Sequence, residues 1–386
     1  MILQAPATGM LSPSLHIGTM HADALIIGAG IHGCSTALHL ALRGVRVLVI
    51  EKDHAGRHAS GVNAGGVRQL ARHPAEIPLS IRAMAIWENI EALTGDDCGF
   101  ESHGQVLVAE SEDELEACRL RVADLQARGF HHEELLDAHE LRKLVPAVAE
   151  HCPGGVVSRR DGAADPFRST QAIRRAAVRA GAQFLEGVRV HSLSRTDSVW
   201  KVRSDAGLHQ APIVVNAAGA WADRIAEQVG EPVPLEAVGP MLMITSRLPA
   251  FIKPVVILRS RKLSFKQFPN GTVMIGGGHL ARVERDRNVT RIDWAKLFTS
   301  AKTVWELFPV MREAMINRAW AGIEARMSDD LPVFGPSARA ENFWHQFGFS
   351  AHGFQLGPGA GAVMAELITE GRSETNVSGL AITRFG

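Results

Sequence analysis

Continuous apolar runs near the chain's start give way to alternating segments further on. Ala24 to Ile27 is apolar at every position, as expected of a strand buried on both faces of a parallel sheet. Ile31 to Arg43 places Ala37, Leu38 and Ala41 at helical spacing and stops before Gly44. Val45 to Ile50, apolar but for Arg46, reads as a second buried strand, so these segments predict one strand–helix–strand unit. Gly56 to Gly66 reads as a loop, Ile77 to Leu93 as a helix and Gln105 to Ala109 as a half-exposed strand. Ser111 to Glu114 predicts the start of an amphipathic helix through Ala127, with Leu115, Cys118, Val122 and Leu125 on one side. The strand–helix rhythm returns at Val156-Val157, Ser169 to Ala180 and Ala182 to Leu185, and Ile213 to Val215 is a further short strand. From Pro232 to Pro309 the texture changes. Leu242 to Thr245, Leu263 to Phe268 and Thr272 to Ile275 predict antiparallel strands, with Asn270-Gly271 as a hairpin turn. Asn342 to Ser350 predicts a last strand, then a glycine-rich turn and a helix from Gly359 to Glu370.

Composition narrows the class. A chain of 386 residues, 46% hydrophobic, can bury a large core in two domains or one with an insertion. Lys plus Arg and Asp plus Glu are 41 each, which gives no electrostatic case for nucleic acid or an anionic membrane. The cysteines, Cys34, Cys98, Cys118 and Cys152, form no C-x-x-C, so no cluster or structural zinc is expected and a reducing, cytoplasmic setting is. No metal site is expected from the histidines either; His131-His132-Glu133 reads as the solvated face of a helix-like stretch. Tyrosine is absent, which closes any mechanism needing a phenol donor. No apolar run is long enough for a membrane span. Residues 1–20 lack the pattern of a signal peptide and read as a flexible tail or an over-long start, so no export is expected.

The chemistry begins at Gly28-Ala29-Gly30-Ile31-His32-Gly33. This G-x-G-x-x-G lies between a buried strand and a helix, where glycines allow a tight turn and close approach to a pyrophosphate. The helix start adds free N–H groups and partial positive charge. Glu51 ends the next strand, where an acid can hold ribose hydroxyls. These features predict a dinucleotide site without deciding between NAD and FAD. Ser60 to Gly66, Val215 to Trp221 and Gly348 to Gln355 push toward FAD. The first could wrap phosphate and ring edge, the second allows close backbone approach, and the third offers a helix start to a flavin carbonyl and N1.

In this order GAGIHG, Glu51, SGVNAGG, NAAGAW, SDDLPVFGPS and GFSAHGFQLGPGAG resemble the D-amino-acid oxidase and sarcosine oxidase family of flavoproteins, over essentially the whole chain after residue 20. Ile323-Glu324, Ser328 to Ser337 and HGFQLGP resemble the branch of sarcosine oxidase beta subunits, opine oxidase subunits and D-hydroxyproline dehydrogenases. The resemblance implies an α/β fold, with a Rossmann-like FAD-binding domain (20–97, 150–234 and 318–386) and an inserted antiparallel-sheet substrate or cap domain (98–149 and 235–317). It implies cofactor contacts from Gly28, Gly30, Ile31, His32, Gly33, Glu51, Lys52, Ser60, Asn63, Ala64, Gly65, Gly66, Val188, Ala218, Gly219, Trp221, His352, Gly353, Phe354 and Gln355. Val188 would meet adenine through its backbone, Arg68 would sit against the flavin and Arg72 would grip a substrate carboxylate. Two departures bear on substrate and attachment. Gln355 stands where monomeric sarcosine oxidases have a lysine, and no cysteine lies near SDDLP, so non-covalent FAD and a substrate other than sarcosine are expected.

The implied reaction is hydride transfer from the carbon beside an amine nitrogen of a small amino or imino acid to flavin, with a D-hydroxyproline-type or other secondary amino acid favoured. An opine or sarcosine oxidase subunit in a larger electron-transfer complex is the alternative. A NAD-dependent dehydrogenase and a non-catalytic flavin subunit also remain open, and partner subunits could accept the electrons. Ser350 and His352 form no nucleophile elbow, so acyl hydrolysis is remote. Lys266 could serve oxygen activation or substrate contact, but beside Phe265 on a strand it reads as exposed.

Overall fold

A computed structural model describes residues 20–386; the leading stretch read as a tail or over-long start, residues 1–19, lies outside them. Six strands form the sheet that carries the glycine turn. They are β1 (Ala24–Ile27), β2 (Val47–Glu51), β3 (Gln183–Glu186), β4 (Ile213–Asn216), β5 (Val333–Pro336) and β6 (Phe343–Phe347), in the order β5-β6-β4-β1-β2-β3. All neighbours are parallel except β5 and β6. β1 is 0–6% exposed, as its unbroken apolar sequence requires.

One face of this sheet carries α1 (Ile31–Ala41), α2 (Ile77–Trp87), α3 (Pro166–Arg179) and α4 (Gly353–Glu370). α1 and α4 meet through small residues: a Cβ on Gly361 would lie 2.1 Å from Ser35 Oγ, and one on Gly357 2.8 Å from Ile31 Cγ2. Backbones can pack that closely only where side chains are missing. The predicted 77–93 helix is broken into α2 and a second helix, Ile90–Thr94. The last helix begins at Gly353 rather than Gly359, running through Pro358. Inside Gly56 to Gly66, Ala59–Val62 forms one helical turn.

The second large sheet has eleven strands, nine of them in one path from Val289–Arg291 to Glu134–Asp137. Its centre is the long strand Leu235–Thr245, which also pairs Ile316–Ala321 and Glu324–Met327. The Asn270-Gly271 turn joins Ser264–Gln267 to Val273–Gly276 as predicted, with Gly271 at φ +87°. Three expectations are corrected here. Val156-Val157 lies on Gly154–Ser158, which runs antiparallel to Gln105–Ala109 in this sheet and takes no part in the parallel one. Gln105–Ala109 is buried throughout, because helix Glu112–Ala127 covers Leu107 on one face and the cluster with Leu141, Val145 and Val148 covers Val106 and Val108 on the other. His131 to Glu133 is a loop, and Glu133 is buried at 3% exposure, paired with Arg121 at 2.7 Å. No helix among the described residues is long and apolar enough to cross a membrane.

Candidate functional site

Two cavities open where the sheets face each other. The smaller, about 300 Å³, lies over the glycine turn and gathers Gly28, Gly30, Glu51, Lys52, Ser60, Val188, Ala218, Gly219 and Trp221 from five separated stretches. Gly28 is at φ +106°, and a Cβ there would meet Ala217 O at 2.4 Å. A Cβ on Gly33 would meet Gly28 O at 1.9 Å. The turn therefore needs glycine at both places. Ser60 Oγ accepts from Ile31 N at 2.9 Å, and no side chain of the first turn of α1 is acidic. This helix start can receive an anion.

Glu51 is held in place by two backbone donors. Ala29 N donates to Oε2 at 2.8 Å and Asp53 N to Oε1 at 2.9 Å. Burial raises its carboxyl, opposed by those two N–H groups. Val188 N donates to Glu51 O at 2.8 Å, so only its carbonyl is left for a base.

The mouth is bridged from the large sheet. Lys52 Nζ reaches Asp53 at 2.5 Å, His58 at 3.1 Å and Asn288 Oδ1 at 3.0 Å, and stands 3.8 Å over the Trp221 ring. Arg285 Nη1 donates to Ala220 O and Asp223, both at 2.8 Å, and Arg224 pairs with Asp286. Burial and its cationic neighbour Lys52 push His58 down to about 4, against the pull of Asp53.

The larger cavity, about 760 Å³, is lined by Asn63 and Ala64 from the second glycine cluster and by Lys266, Arg318 and Trp320 from the large sheet. Asn63 Oδ1 accepts from Gly65 N at 2.7 Å, and Trp320 Nε1 donates to Val62 O at 2.9 Å. Lys266, expected at the surface, is 6% exposed; a Cβ on Gly65 would lie 3.1 Å from its Nζ. Burial pushes its amine down to about 8. Among the described residues Lys266, Arg57, Lys253 and Arg318 form no salt bridge, so cations outnumber the carboxylates of Glu101 and Asp165 on this lining.

Gly65, Gly66, Arg68, Arg72 and the His352 to Gln355 segment line neither cavity. Ile31, His32 and Gly33 also line neither cavity, and the half-buried His32 ring stacks on Phe349 at 3.7 Å. Arg72 is 1% exposed; Nε donates to Arg68 O at 2.9 Å, Nη2 to His352 O at 3.2 Å and Gln355 Oε1 at 3.3 Å. Its Nη1 is buried with no partner among the described residues, and the fork lines neither cavity, where a carboxylate anchor would have to stand. Gln355 is turned the same way: Ser80 Oγ and Arg72 donate to its Oε1, and its Nε2 donates to Ser80 O at 2.9 Å. Arg68 Nη1 donates to Leu70 O at 2.6 Å. His352 Nδ1 is 3.0 Å from Glu76 Oε1. Phe354 packs on Trp87 with centroids 5.2 Å apart. These groups brace the turn ahead of α4, whose start has no side-chain cap. The sequence reading gave no site role to Arg285, Asn288, Trp320 and Arg318, which no local motif announces, nor to Ile323, which it used only as part of a branch motif.

The sequence pattern of the FAD-dependent oxidoreductase family matches residues 23–367. The chain belongs to that family. Its members use FAD, and the fit is physical: a helix start without acidic side chains, a glycine cradle and a buried acid suit a dinucleotide phosphate and ribose. Mouse mitochondrial sarcosine dehydrogenase is 27% identical over 94% of this chain, which spans 41% of that relative's length. An opine oxidase subunit of Rhizobium meliloti is 25% identical, covering 94% of this chain and 97% of its own. The crystal structure of L-proline dehydrogenase from P. horikoshii superposes with a TM-score of 0.89 at 26% identity, over 95% of this chain and 98% of that one.

Proposed function

We propose that the chain oxidises the C–N bond of a small amino or imino acid, with FAD held non-covalently across the two cavities. The observation that carries this reading is the run Ile316 to Glu324, which puts Trp320 in the larger cavity and Ile323 in the smaller. One bound molecule could follow it from the glycine turn to the cationic cavity. When bound, FAD supplies the two-electron acceptor. Glu51 and the α1 start hold the dinucleotide end, and the flavin edge would reach beyond both cavities to the start of α4, which lines neither but has no side-chain cap and so offers N–H donors. Lys266 and Arg318 orient an anionic substrate. No side chain need act as base if the amine arrives neutral. The cysteines are buried and line neither cavity, in keeping with non-covalent attachment.

In this division 20–97, 150–234 and 318–386 hold the cofactor and 98–149 with 235–317 form the cap, whose sheet extends through Gly154–Ser158, Ile316–Ala321 and Glu324–Met327. A hydroxyproline of D configuration or another secondary amino acid fits the reading. The cationic lining favours a second form: an opine-like substrate with more than one carboxylate. Partner subunits taking the electrons, and a cytoplasmic setting, complete the proposal.

The deciding experiment records the visible spectrum of purified protein, then adds amino and imino acids without oxygen. Bleaching by one class identifies the substrate. A colourless protein, or a yellow one that nothing bleaches, overturns the reading. Acid precipitation should leave the colour in the supernatant.

A further inference from the structure

Four buried or nearly buried acids stand near the cavities or the turn before α4, and three of them have obvious charge or hydrogen-bond support. Glu76 faces His352 and has Arg72 and Arg68 close by. Asp161 accepts from Gln69 N and Leu70 N, both at 2.9 Å. Glu51 has its two N–H donors. Glu324 is different. Its Oε1 accepts from Ala351 N, and neither oxygen has another protein partner among the described residues. Arg326 on its own strand is paired with Asp330 at 2.7 Å, Glu236 on the adjoining strand sits opposite Arg326, and His352 is turned to Glu76. None of these compensates the Glu324 carboxylate. Although the residue keeps part of its surface open, its carboxyl is set deeply enough that burial pushes it up to about 7.

The placement gives that group a task. Glu324 follows Ile323, which lines the smaller cavity, and it grips the turn that launches α4. The turn is unusual: Ser350 and Ala351 are both left-handed, at φ +48° and +67°. It is fastened to the same strand by Ser350 N on Ala325 O at 3.2 Å and by Met327 N on Ser350 Oγ at 3.1 Å.

We propose that Glu324 is a redox-coupled proton acceptor, taking up a proton from solvent when the substrate's two electrons arrive beside the start of α4. This rests on the reading that the flavin edge meets that helix start. Hydride leaves the substrate carbon and adds net negative charge to the cofactor. A proton from water then joins the Glu324 carboxylate, so atoms and charge balance. Glu324 is a positioning and charge-compensating residue that need not touch substrate.

The test is on holoenzyme reduced by dithionite with indicator dyes, following midpoint potential and proton uptake from pH 6 to 8. Wild type should bind more protons per two electrons than Glu324→Gln, which keeps an acceptor for Ala351 N but cannot ionise; the excess should approach one at pH 8 and fade toward pH 6, where a carboxyl held near 7 is already protonated. An unchanged potential-against-pH slope in Glu324→Gln, with FAD fully bound, overturns the proposal. Should that variant fail to retain FAD, the infrared difference spectrum of wild type decides. A protonated-carboxyl band appearing on reduction supports the proposal, and its absence overturns it. Failure of the flavin reading itself would show earlier, as a colourless protein.

Discussion

Replacing Arg72 with alanine separates a brace from an anchor. The side chain is 1% exposed and donates to Arg68 O, His352 O and Gln355 Oε1. Truncation leaves two buried carbonyls short of a donor, at about 1–3 kcal/mol each. It also removes one of the two arginines near Glu76, leaving Arg68, and opens a void. Because the neighbouring groups share one network the terms do not add fully, and about 3–5 kcal/mol in total is expected. With an unfolding entropy of about 2.1 cal/mol/K per residue, this corresponds to a fall in Tm of roughly 4–6 °C for cooperative unfolding. Differential scanning calorimetry of the holoenzyme measures it, and steady-state kinetics at a temperature where the variant is folded complete the assay. A brace predicts the Tm loss with FAD bound less tightly and KM changed only a few-fold. A Tm within about 1 °C of wild type, together with a KM raised a hundredfold, would refute the reasoning and restore the anchor.

Gly33→Ala should weaken FAD binding by about tenfold to a hundredfold, since its Cβ would lie 1.9 Å from Gly28 O; flavin fluorescence titration of apoprotein reads this, and wild-type affinity would contradict it. Burial pushes His32 down to about 3 and His39 to about 4, below the ordinary 6.5. Between pH 6.5 and 4 the unfolded chain therefore binds protons that the folded one does not, so stability is full above 6.5 and falls toward 4. Urea unfolding across that range should show the decline, and His39→Gln should flatten part of it. Lys266→Met should stabilise the protein by about 2–3 kcal/mol, because the shift from 10.5 to about 8 measures the strain of holding that cation at 6% exposure. A lower Tm would show the lysine is satisfied where it stands. In wild type, the same shift makes stability rise with pH between 8 and 10.5.

Local chemistry set the dinucleotide end of the site. A Gly28-to-Gly33 turn between an apolar strand and a helix has few conformations open to it, and Glu51 falls at the strand end by chain length alone. The hairpin at Asn270-Gly271 is equally local, since only small or amide residues adopt its backbone readily. The sequence also carried the order of motifs that marks the family. Other features needed the third dimension. Val156-Val157 reads the same in a parallel or an antiparallel sheet, because a strand buried on both faces is apolar in either. Lys266 and Glu133 look solvent-facing until elements distant in sequence cover them. Arg72 and Gln355 have the chemistry of ligands, yet packing against Ser80, His352 and Trp87 turns them inward. Periodicity reports which side of an element is apolar and where a turn must fall. Which polar groups end up sharing a cavity is set by the long-range docking of two sheets, and no short stretch of chain encodes that distance.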